Sequence, residues 1–431
     1  MDRAGPYRAA RDLLLRRPPR LAGGGSLGSI ESDVVSAARR LALHLDHTVL
    51  AIQGPPGAGK TYTAARMAVD LIRAGKIVGV AAISHKVIRN LLDAVVAAGA
   101  AQGEEIGGIH KVTALSGTDS NSIQETRSNS AALSALQARE VRLLGGTSWL
   151  WAREEFAEAV DVLFIDEAGQ LSLANAVAAS QGAKSLVLVG DPQQLEQPQQ
   201  GSHPEGTGVS ALEHALAGEK TISPDFGLFL GETWRLHPAI CRFTSEQAYE
   251  NRLRPRPGME RQRIEGHPVI DCGLWFAPTV HEGNRNSSPE EVARIVRIVG
   301  SLQSGAVSWT DSAGESHPLE LEDILIVTPY NAQAADLMQA LPGARIGTVD
   351  KFQGQEAPIV IYSLATSSAD EAPRGMDFLY SLNRLNVATS RSRCACILVA
   401  NPRLFEPECR TPAQMRLANA FSRYLELARS L

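Results

Sequence analysis

The chain has 431 residues, with 42 Lys and Arg against 47 Asp and Glu and a formal charge of −5, which argues against coating nucleic acid through bulk positive charge. The 44% hydrophobic content excludes a disordered chain, and the length predicts two or three domains. No apolar run approaches the roughly 20 residues that span a bilayer, and the start lacks a signal-peptide core, so we expect no membrane association and no secretion. The five cysteines form no CxxC pair, which predicts neither a disulfide framework nor a zinc ribbon and favours a reducing, cytoplasmic location.

The first half of the chain alternates predicted helices and strands. An Arg-rich helical segment and a Gly-rich linker occupy residues 1–29. From residue 30 onward the apolar runs follow βαβ order, which predicts a parallel sheet. The predicted helices are 7–17, 32–45 and 61–74, and the predicted strands are 48–52, 77–83, 162–165 and 185–189. Residues 101–145 are more polar and show no strong strand, so we interpret them as a helical or loop insertion.

The second half repeats this pattern. Its predicted strands are 324–327, 346–349, 359–364 and 396–399, with helical segments between them. No tandem repeat of about 20–50 residues occurs, which makes a solenoid improbable. The sequence therefore predicts an α/β fold with two lobes, residues 30–230 and residues 231–431, that meet near residues 225–235.

A glycine-rich loop follows the first predicted strand and precedes a helix. It matches G-x-x-x-x-G-K-[ST] and consists of Gly54, Pro55, Pro56, Gly57, Ala58, Gly59, Lys60 and Thr61. Its N–H groups and the helix N-terminus suit phosphates, with Lys60 at the β- and γ-phosphates and the Thr61 hydroxyl on Mg²⁺. The alternative, a Gly-rich turn in an unrelated α/β protein, is disfavoured by the strand–loop–helix order. We therefore predict that the chain binds ATP and Mg²⁺, and we include the next residue, Tyr62, in the nucleotide-binding set.

Carboxylate and amide side chains follow two further predicted strands. Asp166 and Glu167 end the run 162–165, and residues 190–195 follow the run 185–189. Because parallel strands deliver their last residues to the ligand crevice, Asp166 is predicted to hold Mg²⁺ and Glu167 to orient and deprotonate the attacking water. An amide such as Gln194 can bond both the γ-phosphate and that water. Taken alone, the first segment could be an acidic helix cap and the second a plain turn.

The order of these segments resembles the superfamily 1 helicases of group B, the up-frameshift type. The matching segments are the phosphate loop and residues 166–170, 190–195, 233–238, 328–333, 348–356 and 384–393. The resemblance implies two tandem RecA-like P-loop domains with parallel sheets and with ATP in the cleft between them. It also implies that ATP binding and hydrolysis close and open the lobes, because a nucleotide shifts the equilibrium toward the state that it binds better.

The resemblance assigns two arginines and two further residues to the nucleotide. Arg235 and Arg391 would be arginine fingers, because a guanidinium fork meets several phosphoryl oxygens at once. Gly354 and Glu356 would lie near the triphosphate and the ribose. Arg384 and Arg393 lie in or beside the same segments, and for them a surface salt bridge is an equally good interpretation.

The nucleobase has one implied contact and lacks another. Trp234 stands where the family has a tyrosine and would stack on adenine, although a hydrophobic plug between the lobes is a fair alternative. The family's adenine-reading glutamine has no counterpart at residues 30–35, which leaves base selectivity open.

The resemblance also implies a track for single-stranded nucleic acid, because hydroxyls, N–H groups and a few cations hold phosphates without reading bases. The implied contacts are Ser84, His85, Lys86, Thr147, Tyr330, Thr348 and Asp350. Trp149 could stack on a base, but core packing is a slightly better interpretation for either Trp149 or Trp151 taken singly. The arginine-rich residues 252–263 form either a solvated loop or a phosphate-binding loop.

We therefore expect a 5′→3′ DNA helicase or translocase that hydrolyses ATP and is favoured to be a monomer. The alternatives are an RNA helicase or ribonucleoprotein remodeller, and an ATP-gated clamp that does not unwind. DNA is favoured because residues 83–92 resemble bacterial proteins in which a RecB-like nuclease precedes the helicase. The chain would then be the carboxy-terminal half of such a fusion, with a nuclease domain or partner outside it.

Overall fold

The computed structural model describes residues 7–24, 27, 33–116, 122–195, 197, 201, 203–204, 206–352 and 354–431. The chain divides into two compact units. Unit 1 comprises Met1–Pro55, Gly59–Pro192 and Glu196–Leu230, and unit 2 comprises Pro56–Ala58, Gln193–Leu195 and Gly231–Leu431. Each unit has its own sheet.

Unit 1 is built on a parallel sheet of eight strands. The strands are β1 (Val49–Gln53), β2 (Val78–Ala81), β3 (Gly108–Lys111), β4 (Ile123–Thr126), β5 (Leu143–Gly145), β6 (Val160–Ile165), β7 (Ala183–Gly190) and β8 (Gly227–Phe229). Their spatial order is β4-β3-β5-β2-β6-β7-β1-β8, and every pairing is parallel. Every residue of β1 and β2 is buried, as expected where both faces of a parallel sheet are covered.

Eight helices accompany this sheet within the described residues. They are α1 (Arg8–Leu14), α2 (Val34–His44), α3 (Lys60–Arg73), α4 (His85–Ala100), α5 (Asn129–Gln137), α6 (Ser148–Trp151), α7 (Leu173–Ala179) and α8 (Ala211–Leu216). The helix α3 directly follows the phosphate loop, and α4 follows β2. Their positions place the N-termini of both helices at the carboxyl edge of the sheet.

The N-terminal helix α1 packs against the first sheet. Ala9 and Leu13 are buried, and so is the carboxylate of Asp12. The Thr48 hydroxyl donates to that carboxylate at 3.1 Å, and Arg20 forms an ion pair with it at 2.5 Å. The linker predicted after this helix lies partly outside the described residues, at positions 25–26 and 28–29.

Residues 101–145 are part of the main sheet, so the prediction of an insertion without strands was wrong. The segment contributes β3, β4 and β5, and β5 pairs with the central strand β2. The sequence signal was weak because β3 and β4 have only four residues each and the edge strand β4 is only partly buried.

Unit 2 is built on a parallel sheet of six strands in the order β16-β15-β17-β18-β12-β19. These strands are β12 (Gly273–Pro278), β15 (Ile324–Thr328), β16 (Arg345–Thr348), β17 (Ala357–Ser363), β18 (Ser392–Ala400) and β19 (Arg429–Ser430). The smaller pairings involve β9 (Glu232–Thr233), β10 (Arg254–Pro255), β11 (Arg263–Glu265), β13 (Ser308–Thr310) and β14 (Ser316–Pro318). The strands β9 and β10 are parallel, whereas β11, β13 and β14 form an antiparallel sheet.

The described helices of unit 2 are α9 (Pro238–Ala248), α10 (Pro289–Leu302), α11 (Asn331–Ala340), α12 (Met376–Leu379), α13 (Leu382–Ser390) and α14 (Pro412–Leu427). Apolar residues of α10, α11 and the six-stranded sheet share one core. Among the described helices of the whole chain, none combines the length and the apolar character needed to cross a bilayer.

The α/β fold with two parallel sheets and two RecA-like P-loop domains is confirmed. Every strand predicted from an apolar run is present, with ends shifted by a few residues. The strand β12 was not predicted, because its short run lies between Gly273 and Pro278 and contains no β-branched residue. The position of ATP between the two domains stays a prediction.

Candidate nucleotide-binding site and nucleic-acid track

The phosphate loop connects β1 to α3. The Gly54 N–H donates to the Gly190 carbonyl at 2.9 Å, and the Lys60 ammonium donates to the Gly54 carbonyl at 2.7 Å. A Cβ atom on Gly54 would collide with the Lys60 side chain, so glycine is what allows the lysine to cross the loop. Gly57 and Gly59 have φ angles of 70° and 78°, in the left-handed region that glycine adopts without cost. The loop therefore has the backbone that phosphate binding requires.

The acidic segment after β6 lies beside the turn after β7. The Ala168 N–H donates to the Val189 carbonyl at 2.9 Å. A Cβ on Gly190 would lie 2.7 Å from the Gly169 nitrogen, so the two turns touch through their backbones. Because β6, β7 and β1 are neighbours in the sheet, these two turns and the start of the phosphate loop lie at the same edge.

Asp166 is buried and has an unusual affinity for protons. Burial, followed by the charge of Glu167, raises the pKa of Asp166 to about 7, against the opposing effects of the Glu167 N–H and Lys60. A divalent cation beside this carboxylate would hold it ionised. The Asp166 carboxylate and the Thr61 hydroxyl are oxygen donors of the kind that Mg²⁺ binds, so these residues fit the predicted metal.

Glu167 has a strained backbone. Its φ angle is 52°, in the left-handed region, which costs a non-glycine residue about 1–2 kcal/mol. Such strain concentrates at functional sites, where the surrounding structure enforces it. This observation agrees with a catalytic role for Glu167, which stays a prediction.

Three arginines of unit 2 gather near one carboxylate. Glu356 accepts hydrogen bonds from Arg235 and from the Nε of Arg393, the latter at 2.9 Å. Arg391 is buried, and its Nη1 donates to the Gln355 carbonyl at 3.3 Å. Burial alone would raise the pKa of Glu356, but the charges of Arg235 and Arg393 hold it below its ordinary value. Glu356 therefore pairs with two of these guanidinium groups, and the buried Arg391 bonds to the residue that precedes Glu356.

Trp234 presents an aromatic surface in unit 2. Its side chain is 55% exposed, and its N–H donates to the Gly57 carbonyl at 2.9 Å. The Arg256 guanidinium lies 3.5 Å from the centre of the Trp234 ring. An exposed ring can stack on a base, which is the role predicted for Trp234. In unit 1, the exposed Tyr62 ring carries the Arg66 guanidinium at 3.3 Å.

The arginine-rich segment 252–263 is only partly solvated. Arg256 stacks on Trp234, Arg261 donates to the Ala313 carbonyl at 3.2 Å, and Arg263 forms an ion pair with Glu265 at 2.6 Å. These contacts involve Arg256, Arg261 and Arg263, which are among the arginines that the sequence offered as phosphate ligands.

The predicted nucleic-acid residues of unit 1 lie at helix starts. Ser84 caps α4 through its hydroxyl, and Thr147 precedes α6. His85 follows Ser84, and its Nδ1 lies 3.3 Å from the Nε2 of His110. Lys86 is exposed. These side chains therefore stand at the carboxyl ends of β2 and β5, where a ligand of a parallel sheet binds.

The two tryptophans of this region have different environments. Trp149 is 81% exposed, whereas Trp151 is fully buried and its Nε1 donates to the carbonyls of Val80 and Gly146. Trp151 is a core residue, and stacking on a base stays a prediction for Trp149 alone.

The predicted nucleic-acid residues of unit 2 lie at the carboxyl edge of its sheet. Thr348 ends β16, and the exposed Asp350 lies 3.9 Å from Arg384. Tyr330 follows β15, but only 6% of it is exposed, because its ring packs against Phe378. Arg384 places its guanidinium 4.2 Å from the centre of the same Phe378 ring.

Two family models, each described as an AAA domain, match residues 35–207 and 209–403. Several relatives carry the word helicase in their names, and another is named a regulator of nonsense transcripts 1 homolog. These findings support a superfamily 1 helicase, an enzyme that hydrolyses ATP.

Three relatives are similar to this helicase over only part of their own length. It is 29% identical to the DNA polymerase alpha-associated DNA helicase A of Schizosaccharomyces pombe over 57% of the chain and 38% of the relative. It is 24% identical to the DNA replication ATP-dependent helicase/nuclease JHS1 of Arabidopsis thaliana over 96% of the chain and 31% of the relative. It is 26% identical to a regulator of nonsense transcripts 1 homolog of Drosophila melanogaster over 91% of the chain and 36% of the relative. The chain thus spans about a third of the length of these curated relatives.

The structure adds residues that sequence reasoning missed. Asn386 of the helicase donates its amide to the Gln193 carbonyl at 2.7 Å and to the Tyr249 hydroxyl at 3.0 Å. It lies in the segment 384–393, but an asparagine among helix residues carries no signal of its own. Arg256 was counted only as one of many arginines, because its position over Trp234 depends on the pairing of β9 with β10.

Proposed function

We propose that this helicase is an ATP-dependent 5′→3′ DNA helicase or translocase that couples nucleic-acid-stimulated ATP hydrolysis to stepping along a single strand. One observation carries the proposal. The phosphate loop, the Asp166–Glu167 pair and the Gly190–Asp191 turn follow three neighbouring strands and meet at one sheet edge. That edge has the lysine, the two carboxylates and the backbone donors that ATP hydrolysis requires.

The proposed chemistry divides among these residues. Lys60 and the loop N–H groups would hold the β- and γ-phosphates, and Thr61 and Asp166 would hold Mg²⁺. When bound, Mg²⁺ supplies positive charge to the phosphate oxygens. Glu167 would orient the attacking water and accept its proton, and Gln194 would contact the same water. Gly54 to Gly59, Tyr62, Trp234, Gly354 and Glu356 complete the proposed nucleotide contacts.

Arg235 and Arg391 are the proposed arginine fingers. In unit 2, Arg235 bonds to Glu356 and Arg391 to the neighbouring Gln355 carbonyl, and a guanidinium fork can pair with γ-phosphate oxygens through charge-assisted hydrogen bonds. Arg393 shares the carboxylate of Glu356 with Arg235, so we propose that it holds Glu356 rather than the phosphate.

The choice of DNA has its support in the relatives. Two of the three are named for DNA, and one of these, named a helicase/nuclease, matches 96% of the chain. The match to a relative named a regulator of nonsense transcripts supports RNA as the competing substrate. The direction of movement is inferred from the resemblance to group B helicases. A nuclease domain or partner and a monomeric state belong to the same proposal.

A tailed-duplex unwinding assay tests the proposal. Duplexes of DNA and of RNA, each with either a 5′ or a 3′ single-stranded tail, are incubated with the purified chain and ATP. We expect strand displacement from 5′-tailed DNA, and none without ATP or with Lys60→Ala. Displacement of RNA alone would assign the chain to RNA, and displacement only from 3′ tails would contradict the direction. ATP-dependent binding without strand displacement on any substrate would assign the chain to the ATP-gated clamps that do not unwind nucleic acid.

A further inference from the structure

A buried polar cluster lies at the carboxyl edge of the sheet of unit 2. Its centre is Glu291, whose side chain has no exposed surface and which lies in the first turn of α10. The carboxylate accepts from the Ser363 hydroxyl at 2.6 Å and from the Ala365 N–H at 3.0 Å. It also accepts from Nε2 of His281, which is equally buried, at 3.1 Å. A carboxylate with three donors is satisfied even without water.

The cluster extends through His281 to a second loop. Nδ1 of His281 lies 2.7 Å from the Ser367 hydroxyl, so the ring bridges Glu291 and Ser367. The Ser367 hydroxyl in turn accepts the Asn284 N–H at 2.9 Å, and the Ser367 N–H donates to the Asn284 carbonyl at 2.9 Å. The hydroxyl and the N–H of Ser367 therefore both form hydrogen bonds that join the loop after β17 to the loop after β12.

The loop after β17 is held in a strained conformation. Ala365 has a φ angle of 63°, which is unfavourable for a residue with a Cβ, and its N–H is one of the donors to Glu291. The next residue, Thr366, donates its hydroxyl to the Arg285 carbonyl at 2.7 Å, and that hydroxyl lies 3.3 Å from the Tyr330 hydroxyl. The Thr366 hydroxyl thus connects the backbone of Arg285 to Tyr330, a predicted nucleic-acid contact.

Arg285 itself points to a ligand outside the chain. The residue is exposed, and its side chain has no hydrogen bond, ion pair or ring contact among the described residues. Its neighbours along the loop differ: the Asn284 amide donates to Glu290 at 2.7 Å, and Glu282 lies 3.7 Å from Arg403. The Arg285 guanidinium thus has no carboxylate partner among the described residues, and the Thr366 hydroxyl fixes its backbone. Such a guanidinium is suited to binding a phosphate.

We propose that Arg285 is a phosphate contact of the nucleic-acid track in unit 2 and that Glu291 is the positioning residue that holds its loop. The ligand is the phosphodiester backbone of a single strand, because one guanidinium can pair with a phosphate and cannot by itself read a sequence. The inference rests on the proposed function, since it assigns a further contact to the same track.

A double-mutant cycle on strand binding tests this proposal. The probe is fluorescein-labelled oligo(dT), and anisotropy gives Kd at several KCl concentrations for the wild type, Arg285→Gln, Glu291→Gln and the double variant. We expect Arg285→Gln to weaken binding about 3- to 10-fold and to reduce the slope of log Kd against log salt by about 0.7, the value for one phosphate of a single strand. Glu291→Gln should weaken binding similarly, because its amide nitrogen cannot accept the Ala365 N–H. The double variant should bind oligo(dT) no more weakly than the single variant that has the higher Kd.

The controls separate positioning from loss of folding and from loss of charge. Arg297→Gln removes an exposed cation from α10, and it should leave both Kd and the salt slope at the wild-type values. ATP hydrolysis without a strand should be unchanged in every variant. If Glu291→Gln does not fold, Thr366→Val replaces it in the cycle, because that change removes only the hydroxyl bonded to Arg285 and Tyr330.

The outcomes distinguish this inference from the proposed function. Wild-type binding together with an unchanged Kd and slope for Arg285→Gln overturns the contact. Multiplicative effects of the two changes overturn the positioning role of Glu291 and leave the contact standing. A wild type that binds neither oligo(dT) nor oligo(U) overturns the proposed function and this inference with it.

Discussion

At the scale of single residues, the candidate nucleotide site depends on glycines that let two turns touch. A Cβ on Gly190 would lie 2.7 Å from the Gly169 nitrogen and 2.8 Å from the Ala168 nitrogen. Both neighbours are backbone atoms that cannot rotate away, so a methyl group must push the two turns apart. Such a shift would move Asp166 and Glu167, which lie at the start of the same turn.

We therefore predict that Gly190→Ala lowers kcat for ATP hydrolysis at least 10-fold and also lowers the melting temperature. Gly300→Ala is the matched control, because a Cβ at Gly300 meets nothing within 4 Å. Gly300 lies in α10, where alanine is favoured over glycine by about 1 kcal/mol. Steady-state kinetics and thermal unfolding of both variants check this, and full activity of Gly190→Ala would contradict the described packing.

His110 makes the stability of unit 1 depend on pH. Burial, and then the charge of His85, lowers the pKa of His110 to about 4, and the side chain is only 2% exposed. The unfolded chain takes up this proton near pH 6.5, before the folded chain does, so the free energy of unfolding falls as the pH drops from about 6.5 to about 4. Above about pH 6.5 the His110 ring is neutral in the folded and the unfolded chain, so it no longer lowers the free energy of unfolding.

We predict that His110→Gln reduces the loss of stability between pH 7 and pH 4.5 by on the order of 1–2 kcal/mol, after allowance for solvent screening. Urea unfolding at the two pH values measures this for the variant and the wild type. Equal pH dependence in both proteins would show that His110 does not titrate in this way.

At the scale of elements, Trp151 connects α6 to the sheet. Its ring would lie 2.9 Å from a Cβ on Gly79 of β2, and its Nε1 donates to the Val80 and Gly146 carbonyls. We predict that Trp151→Ala lowers the free energy of unfolding by about 3–5 kcal/mol. Trp149→Ala, a change to the exposed neighbour two residues earlier, should alter it by less than about 0.5 kcal/mol. Denaturant unfolding compares the two variants, and similar losses would contradict their assignment to core and surface.

The elements also show what sequence alone could predict. The strands β1, β6 and β7 were predictable because long apolar runs end in glycine or carboxylates, and these strands carry the phosphate loop, Asp166 and Gly190. The strands β3 and β4 were missed because each has only four residues and the edge strand β4 needs few apolar ones. The Glu291 cluster could not be predicted, since it joins residues from three separate segments through contacts that only the folded unit creates.

At the scale of the whole molecule, the charge distribution limits how this helicase can bind a strand. The chain has a formal charge of −5, and thirty-five of its 42 cations are arginines. Many of these arginines are bonded within the units, including Arg235 and Arg393 to Glu356 and Arg39 to Asp70. Binding should therefore use few phosphate contacts, and its dependence on salt should be modest rather than steep.

The central claim is that the described sheet edge hydrolyses ATP for work on a strand, and strand-stimulated ATPase activity tests it most directly. Phosphate release is measured with and without oligo(dT) for the wild type, Lys60→Ala and Glu167→Gln. We predict that oligo(dT) stimulates the wild type and that both variants lose the stimulated rate, with Glu167→Gln still binding ATP because its phosphate loop is intact. Undiminished stimulated turnover in both variants would contradict the assignment of this site.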